Sequence, residues 1–234
     1  MKAYYAARAR EYEQIYAKPE RQTDLRVLEA LIPRLLADRH ILEVACGTGY
    51  WTQFLAGTAS HVLATDVNAE VLEVATQKGL PPDQVRFQVE DAYALALPPQ
   101  TPTSPHTPNP AGDAPPAALP TSSGFDAAFA GFWWSHLTRQ DQLRFLSALQ
   151  TRLKPGARVV LLDNRFVPGS STPISERDAD GNTYQLRPLT DGSVHKVLKN
   201  FPEEAELVNA TQAFGPAFHY QALPHFWVFG FVMA

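Results

Sequence analysis

The chain has 234 residues, a formal net charge of −4 and a pI near 6.0. This length fits one domain, or at most two, and the hydrophobic and charged fractions of 45% and 19% are ordinary for a folded protein. The acidic balance argues against a nucleic-acid partner, and a single cysteine, Cys46, excludes an internal disulfide and a Cys-clustered metal site. With no apolar run near the ~20 residues of a membrane span, we expect a cytoplasmic protein with no metal, nucleic-acid or membrane partner.

The first predicted elements are two helices. Tyr5, Tyr12 and Tyr16 fall near one face of a helix within residues 1–18, where tyrosines of an amphipathic helix pack half-buried. A second helix is predicted over Thr23–Ala37, which has a continuous apolar face.

The sequence is organised around the stretch that follows. An apolar strand, His40–Val44, leads directly into a turn with Gly47 and Gly49, and a helix is predicted over Tyr50–Gly57. In open α/β sheets a turn of this kind, at the carboxyl end of a strand, is a nucleotide-binding position. Glycine lets the backbone turn sharply and lets a ligand come close.

The turn differs from the dinucleotide-binding fingerprint G-x-G-x-x-G/A, because its third small position is Thr52. Glu43, at the end of the strand, suits a ligand that carries a cationic ammonium group. An oxidoreductase that uses NAD(P) or a flavin is therefore the weaker alternative.

The run Glu43-Val44-Ala45-Cys46-Gly47-Thr48-Gly49 resembles the first motif of the class I S-adenosylmethionine-dependent methyltransferases, (D/E)-x-G-x-G-x-G. The one departure is Ala45 at the first glycine position. The resemblance implies an α/β fold with a seven-stranded, doubly wound, mostly parallel sheet (Rossmann-like) that ends in an antiparallel strand pair. It also implies S-adenosyl-L-methionine as the cofactor and an N-terminal Tyr-rich helix that closes over it as a lid.

The next two predicted strands end in carboxylates. Asp66 closes the strand His61–Asp66, about as far beyond the glycine turn as the acid that holds the ribose in Rossmann folds. Its alternative role is a cap for a helix over 68–78. After the strand Val85–Val89, Asp91 and Ala92 resemble the family position that contacts the adenine amino group, although a solvated strand end is the alternative.

Residues 98–123 differ in composition, since they hold nine of the 20 prolines. Such a segment lacks the apolar residues that offset ordering entropy, so we expect a mobile, partly polyproline-like insertion. A ligand for proline-recognition domains is the alternative.

The fourth predicted strand, Phe125–Gly131, ends in the aromatic run Phe132-Trp133-Trp134-Ser135-His136. Family members place residues that face the transferred methyl group here, and aromatic ring faces attract a sulfonium ion. His136 is the candidate general base, because the ordinary pKa of histidine lies near neutral pH. A structural histidine is the alternative.

The remaining chain is predicted to complete the sheet and to cover it. After a fifth strand, residues 164–201 leave the common pattern and form a cover for the substrate, with a hairpin about Asp191-Gly192. In this segment Arg165 is expected to clamp a substrate carboxylate, or else to form a surface ion pair. The other predicted elements are a helix over Gln140–Leu153, the strand Ala157–Asp163, a helix over Pro202–Phe214, and the strands Phe218–Leu223 and Phe226–Met233.

Together these features predict a methyltransferase that modifies an O or N nucleophile of a small-molecule acceptor, as a monomer or homodimer. A nucleic-acid or protein methyltransferase and a non-catalytic S-adenosylmethionine-binding module are the alternatives. We expect a lid over residues 1–38 and the cofactor domain over 39–234. The expected cofactor residues are Tyr12, Glu43, Ala45, Gly47, Gly49, Thr52, Asp66, Val67, Asp91, Ala92 and Phe132. The expected catalytic residues are His136 and Tyr5, and the expected substrate residues are Trp133, Trp134, Asn164 and Arg165.

Overall fold

A computed structural model describes residue 13 and residues 15–96, 124–189 and 192–234. Tyr5, Tyr12, most of the expected lid helix, the proline-rich segment and Asp191 of the predicted hairpin turn lie outside the described residues. Within those ranges, no helix is both long and apolar enough to cross a membrane.

The described chain alternates helices and strands for most of its length. The helices are α1 (Gln22–Leu35), α2 (Tyr50–Ala56), α3 (Ala69–Thr76), α4 (Arg139–Gln150) and α5 (Glu204–Thr211), with short 3-10 helices at Pro19–Arg21 and Trp134–His136. The strands are β1 (His40–Val44), β2 (His61–Asp66), β3 (Val85–Val89), β4 (Phe125–Gly131), β5 (Leu153–Asn164), β6 (Glu176–Arg177), β7 (Thr183–Pro188), β8 (Val194–Leu198), β9 (Ala217–Ala222) and β10 (Phe226–Val232).

Seven strands form the main sheet in the order β3-β2-β1-β4-β5-β10-β9. The first five are parallel, and β10 runs antiparallel to both β5 and β9. The predicted doubly wound sheet with a terminal antiparallel pair is therefore confirmed. The strand order reverses between β1 and β4, and the carboxyl ends of these two strands are where open α/β sheets bind their ligands.

The main sheet is covered on both faces, as a parallel sheet requires. Leu42 and Val44 of β1 pack into the hydrophobic cluster on one face, and Ile41 packs into the cluster on the other. These buried faces hold the carboxyl ends of the strands in fixed positions.

A smaller three-stranded antiparallel sheet lies outside the main one, in the order β6-β7-β8. β7 and β8 form the predicted hairpin, whereas β6 was not predicted. We call this sheet, together with the loops of residues 164–201, the cover. Lys199, directly after β8, connects the cover to the end of β5, because its Nζ lies 2.6 Å from Oδ1 of Asp163.

Candidate active site

The turn after β1 is built from left-handed backbone. Ala45, Gly47 and Gly49 have φ values of 55°, 57° and 74°. Ala45 bears a Cβ in this region, which costs roughly 1–2 kcal/mol relative to ordinary backbone. Two backbone hydrogen bonds fix the turn: Cys46 N–H donates to Thr65 O at 2.9 Å, and Gly49 N–H donates to Cys46 O at 3.0 Å.

Asp66, at the end of β2, holds the turn from the neighbouring strand. Its Oδ2 accepts the backbone N–H of Gly47 at 3.0 Å, and its Oδ1 accepts the N–H of Asn68 at 2.9 Å. Asn68 occupies the N-cap position of α3 without a side-chain capping bond, so Asp66 is not the N-cap residue of that helix. The side chain of Asp66 is buried at the edge of an open cavity.

That cavity, of about 270 Å³, lies above the carboxyl ends of β1, β2 and β4. It is lined by nine of the expected site residues. Those expected at the cofactor are Ala45, Gly47, Asp66, Val67, Asp91, Ala92 and Phe132, and those expected at the acceptor are Trp133 and His136. Glu90 and Tyr93, which sequence reasoning did not select, complete the wall beyond β3.

Of the expected cofactor residues that the structure describes, Gly49, Thr52 and Glu43 do not line the cavity. Gly49 is the N-cap residue of α2, and an added Cβ there would lie 3.1 Å from the Cβ of Ala75. Thr52 and Glu43 are buried beneath the turn. Oε2 of Glu43 has no hydrogen-bond partner among the described residues, and burial raises the pKa of this carboxyl to about 8.

The aromatic run after β4 is divided between the cavity and the core. Phe132 has φ of 59°, an uncommon backbone region for a bulky residue, and it lines the cavity. Trp133 also lines it, and within the described part of the chain its Nε1 finds no acceptor. Trp134 is 1% exposed and packs in the core instead.

His136 lies at the end of the cavity with 5% of its surface exposed. Its Nδ1 lies 2.6 Å from the carbonyl oxygen of Leu198 in the cover, and a carbonyl only accepts. Nδ1 therefore carries the proton of the neutral ring, which makes Nε2 its basic nitrogen. Burial, followed by the charge of Lys199, lowers the pKa of His136 to about 3, so the ring is neutral at pH 7.

A buried ion pair beside His136 was missed by sequence reasoning. Nζ of Lys199 lies 2.6 Å from Oδ1 of Asp163 and 2.6 Å from Oγ of Ser135. Oδ2 of Asp163 accepts the backbone N–H of Ser135 at 2.9 Å. The network joins β5, the 3-10 helix that bears His136, and the end of the cover. Asp163 ends the predicted fifth strand, but no sequence signal paired it with Lys199.

The two residues expected to follow this strand as substrate contacts lie elsewhere. Asn164 pairs with Phe226 of β10. Arg165 is exposed and donates from Nη1 to the carbonyl oxygen of Leu223 at 2.9 Å. Neither lines the cavity above the turn.

The described end of the N-terminal segment is docked on the glycine turn. Oε1 of Glu13 accepts the hydroxyl of Thr48 at 3.0 Å and lies 2.6 Å from Nζ of Lys78. The rings of Tyr16 and Tyr50 stack with centroids 3.6 Å apart and planes 6° from parallel. The segment therefore contacts the turn from the side of α2 and α3.

Comparison with known proteins gives three findings. A family model described as a methyltransferase domain matches residues 41–103. The curated O-methyltransferase cnsE of Penicillium expansum is 34% identical over 128 residues, which are 53% of this chain and 37% of that protein, so this chain spans little more than a third of that relative. Two structures titled as DhpI complexes are each 27% identical. For the SAH complex the TM-score is 0.68, and the alignment covers 98% of this chain and 93% of the DhpI chain. For the SAM-HEP complex the TM-score is 0.70, and the alignment covers 97% of this chain and 94% of the DhpI chain.

The fold is an open α/β sheet, and its cavity lies over the β1 turn, beside the acid of β2. The motif Glu43–Gly49, the match of residues 41–103 to a methyltransferase domain and the similar structures that hold SAH or SAM make the comparison more specific. These are features that the chain shares with the class I S-adenosylmethionine-dependent methyltransferases.

Proposed function

We propose that this protein transfers the methyl group of S-adenosylmethionine to an oxygen or nitrogen nucleophile of a small-molecule acceptor. The observation that carries the proposal is that Asp66 and His136 line one cavity. A hydrogen-bond acceptor for a ribose and a neutral imidazole thus share one space at the switch point of the sheet. The name of the relative cnsE, an O-methyltransferase, favours oxygen as the nucleophile.

The residues of the cavity fit the cofactor. We assign Asp66 to the ribose hydroxyls, because its carboxylate is fixed by two backbone N–H groups and lines the cavity. We assign Asp91 and Ala92 to the adenine, because they line the cavity wall beyond β3. The unpartnered Nε1 of Trp133 is a further donor at the same wall, and leaving it unpaired in a closed complex would cost about 1–3 kcal/mol.

When bound, the cofactor supplies an electrophilic methyl group, so the main task of the protein is to orient the acceptor and exclude water. Phe132 and Trp133 provide an apolar wall for this. We assign to His136 the removal of the acceptor's proton by Nε2, while Nδ1–H stays bonded to Leu198 O. Its low pKa makes it a weak base, which suits an acceptor whose proton leaves late in the transfer.

We also propose that the N-terminal segment and the cover close the site. Lys18 and Arg21 of the former both donate to the carbonyl oxygen of Ser170 in the latter, at 2.9 and 3.4 Å. Oγ of Ser170 in turn donates to Oε1 of Glu20 at 2.8 Å. The two segments are therefore joined to each other, and opening one requires breaking these contacts with the other.

The test is methyl transfer from S-adenosylmethionine with a labelled methyl group to a panel of small hydroxy and amino compounds, with tRNA and histones as the competing acceptors. The proposal predicts label in small molecules alone. Label on tRNA or histone and none on the small molecules would overturn it, and no transfer to any acceptor would favour a non-catalytic binding module.

The base is tested with His136→Asn, whose side-chain amide can still donate to Leu198 O but cannot accept a proton. We expect kcat to fall by roughly 10²–10⁴-fold while the affinity for S-adenosylhomocysteine stays unchanged. An unchanged kcat would assign His136 a structural role.

A further inference from the structure

The β7–β8 hairpin of the cover presents one of its two faces to the site. Side chains alternate along a strand, and on β7 Thr183 and Gln185 are buried, with 4% and 2% exposed. Arg187 is the next residue on this face, and it is half-buried. On the adjacent strand Val197 is buried opposite Gln185, and the neighbouring Leu198 carbonyl accepts the Nδ1 proton of His136. Arg187 therefore continues the buried face of the hairpin, and its charge acts on His136, whose pKa it helps to lower.

The guanidinium of Arg187 is held in place without being neutralised. Its Nε and Nη2 donate to Oε1 of Gln185 at 3.2 and 2.7 Å, and Gln185 is itself anchored by a 2.6 Å bond from its Nε2 to the carbonyl oxygen of Thr172. Across the described ranges no carboxylate forms an ion pair with Arg187, and three of its five N–H groups have no partner there.

The charges around His136 leave an excess of positive charge on this side of the site. Lys199 and Arg187 each disfavour the charged form of His136, and Asp163 is the carboxylate that acts in the opposite direction. Asp163 is already occupied by Lys199 and by the backbone N–H groups of Ser135 and Asn164. The guanidinium of Arg187, which has no carboxylate partner among the described residues, therefore adds positive charge near His136.

We propose that the acceptor carries an oxyanion, either a carboxylate or a phosphoryl group, and that Arg187 binds it while the nucleophile of the acceptor lies at His136. This inference rests on the proposed function of the same site. A guanidinium with free N–H groups along one edge matches the two oxygens of such an anion in a forked pair. Sequence reasoning assigned a carboxylate clamp to Arg165, whose guanidinium instead bonds the Leu223 carbonyl on the exterior.

The test measures kcat and KM for matched acceptors: hydroxybenzoates and a hydroxyalkyl phosphate, each beside the neutral amide or ester of the same skeleton. We expect wild type to prefer the anions. Arg187→Gln should raise KM for anionic acceptors by about 10- to 100-fold and leave KM for the neutral ones unchanged. Arg187→Lys keeps the positive charge but not the forked pair of N–H donors, so its KM for anionic acceptors should lie between those of wild type and Arg187→Gln. Arg177→Gln, on β6 of the same cover, is the matched control and should behave as wild type.

A second measurement separates this inference from the proposed function. Benzoate and inorganic phosphate are titrated into the protein saturated with S-adenosylhomocysteine, at constant ionic strength, and their ability to raise the melting temperature is recorded. Anion binding that is lost in Arg187→Gln supports the inference even if no methyl transfer is found, and the preferred anion identifies the oxyanion. Transfer to neutral and anionic acceptors with equal KM, unchanged in Arg187→Gln, overturns the inference and leaves the proposed function standing.

Discussion

Replacing Lys199 by Met should destabilise the protein far more than the loss of an ordinary surface lysine. The side chains of Lys199 and Asp163 are 5% and 0% exposed, and the pair is 2.6 Å apart. Met keeps an unbranched apolar stem of similar length but removes the charge and the bond to Ser135. Asp163 is then left buried without its cation.

Removal of one partner from a buried ion pair costs about 3–5 kcal/mol, because the remaining charge is uncompensated. For a chain of this length that corresponds to a melting temperature lower by roughly 6–20 °C. The loss should shrink in acid. Lys199 lowers the pKa of Asp163, so the pair stabilises the native state above the ordinary pKa of the carboxyl and ceases to do so as the pH falls through the lowered value. In the variant Asp163 takes up a proton instead.

The assay is urea unfolding at pH 7 and pH 4.5, with Lys196→Met as the matched control. Lys196 lies 2.7 Å from Glu176, but these two side chains are 46% and 52% exposed, so its loss should cost less than about 1 kcal/mol. A Lys199→Met variant no less stable than Lys196→Met at pH 7, or a difference that grows at pH 4.5, would refute the reasoning.

Three further variants probe the glycine turn and its surroundings. Burial raises the pKa of Glu43 to about 8, so the folded state loses a few kcal/mol of stability as the pH rises from about 4.5 to 8. Glu43→Gln should remove most of this pH dependence of the unfolding free energy, measured with urea. An unchanged pH dependence in the variant would contradict the prediction. Gly49→Ala should lower the melting temperature of the protein more than Gly79→Ala does. Both glycines have φ above 60°, but only at Gly49 does the added Cβ meet a neighbour within 4 Å. Equal melting temperatures of the two variants would show that this contact costs no stability. Tyr16→Ala should speed release of S-adenosylhomocysteine in stopped-flow experiments while Tyr16→Phe should not, since the stacked ring and not the hydroxyl lies on Tyr50; equal rates would argue against a lid.

The sequence predicted the central strands to the residue because their environment leaves little choice. β1 and β2 are buried on both faces, so each appears as a short apolar run between turn residues. Prediction failed where pairing is nonlocal. β5 starts at Leu153, four residues before the predicted Ala157, because Leu153 pairs with Phe125 of β4. The exposed two-residue strand β6 carries no pattern of its own.

The candidate site was predictable on one side only. Asp66 and Gly47 of the turn are signalled by local spacing, and both line the cavity. The sequence around Lys199 predicts an exposed lysine, because its carboxylate partner Asp163 lies on β5, thirty-six positions earlier. Arg187 is selected by the face it shares with Gln185, which is visible only once the register of β7 and β8 is known.

The most direct test of the account is calorimetry with S-adenosylhomocysteine on wild type and Asp66→Ala. Asp126→Ala is the matched control, because the Asp126 carboxylate also accepts a backbone N–H, from His40 at 2.7 Å, but at the opposite edge of the sheet. We predict binding to wild type, unchanged affinity in Asp126→Ala, and a loss of about 10- to 100-fold in Asp66→Ala. No binding to wild type, or an affinity that Asp66→Ala leaves intact, would contradict the assignment of the cofactor to this turn.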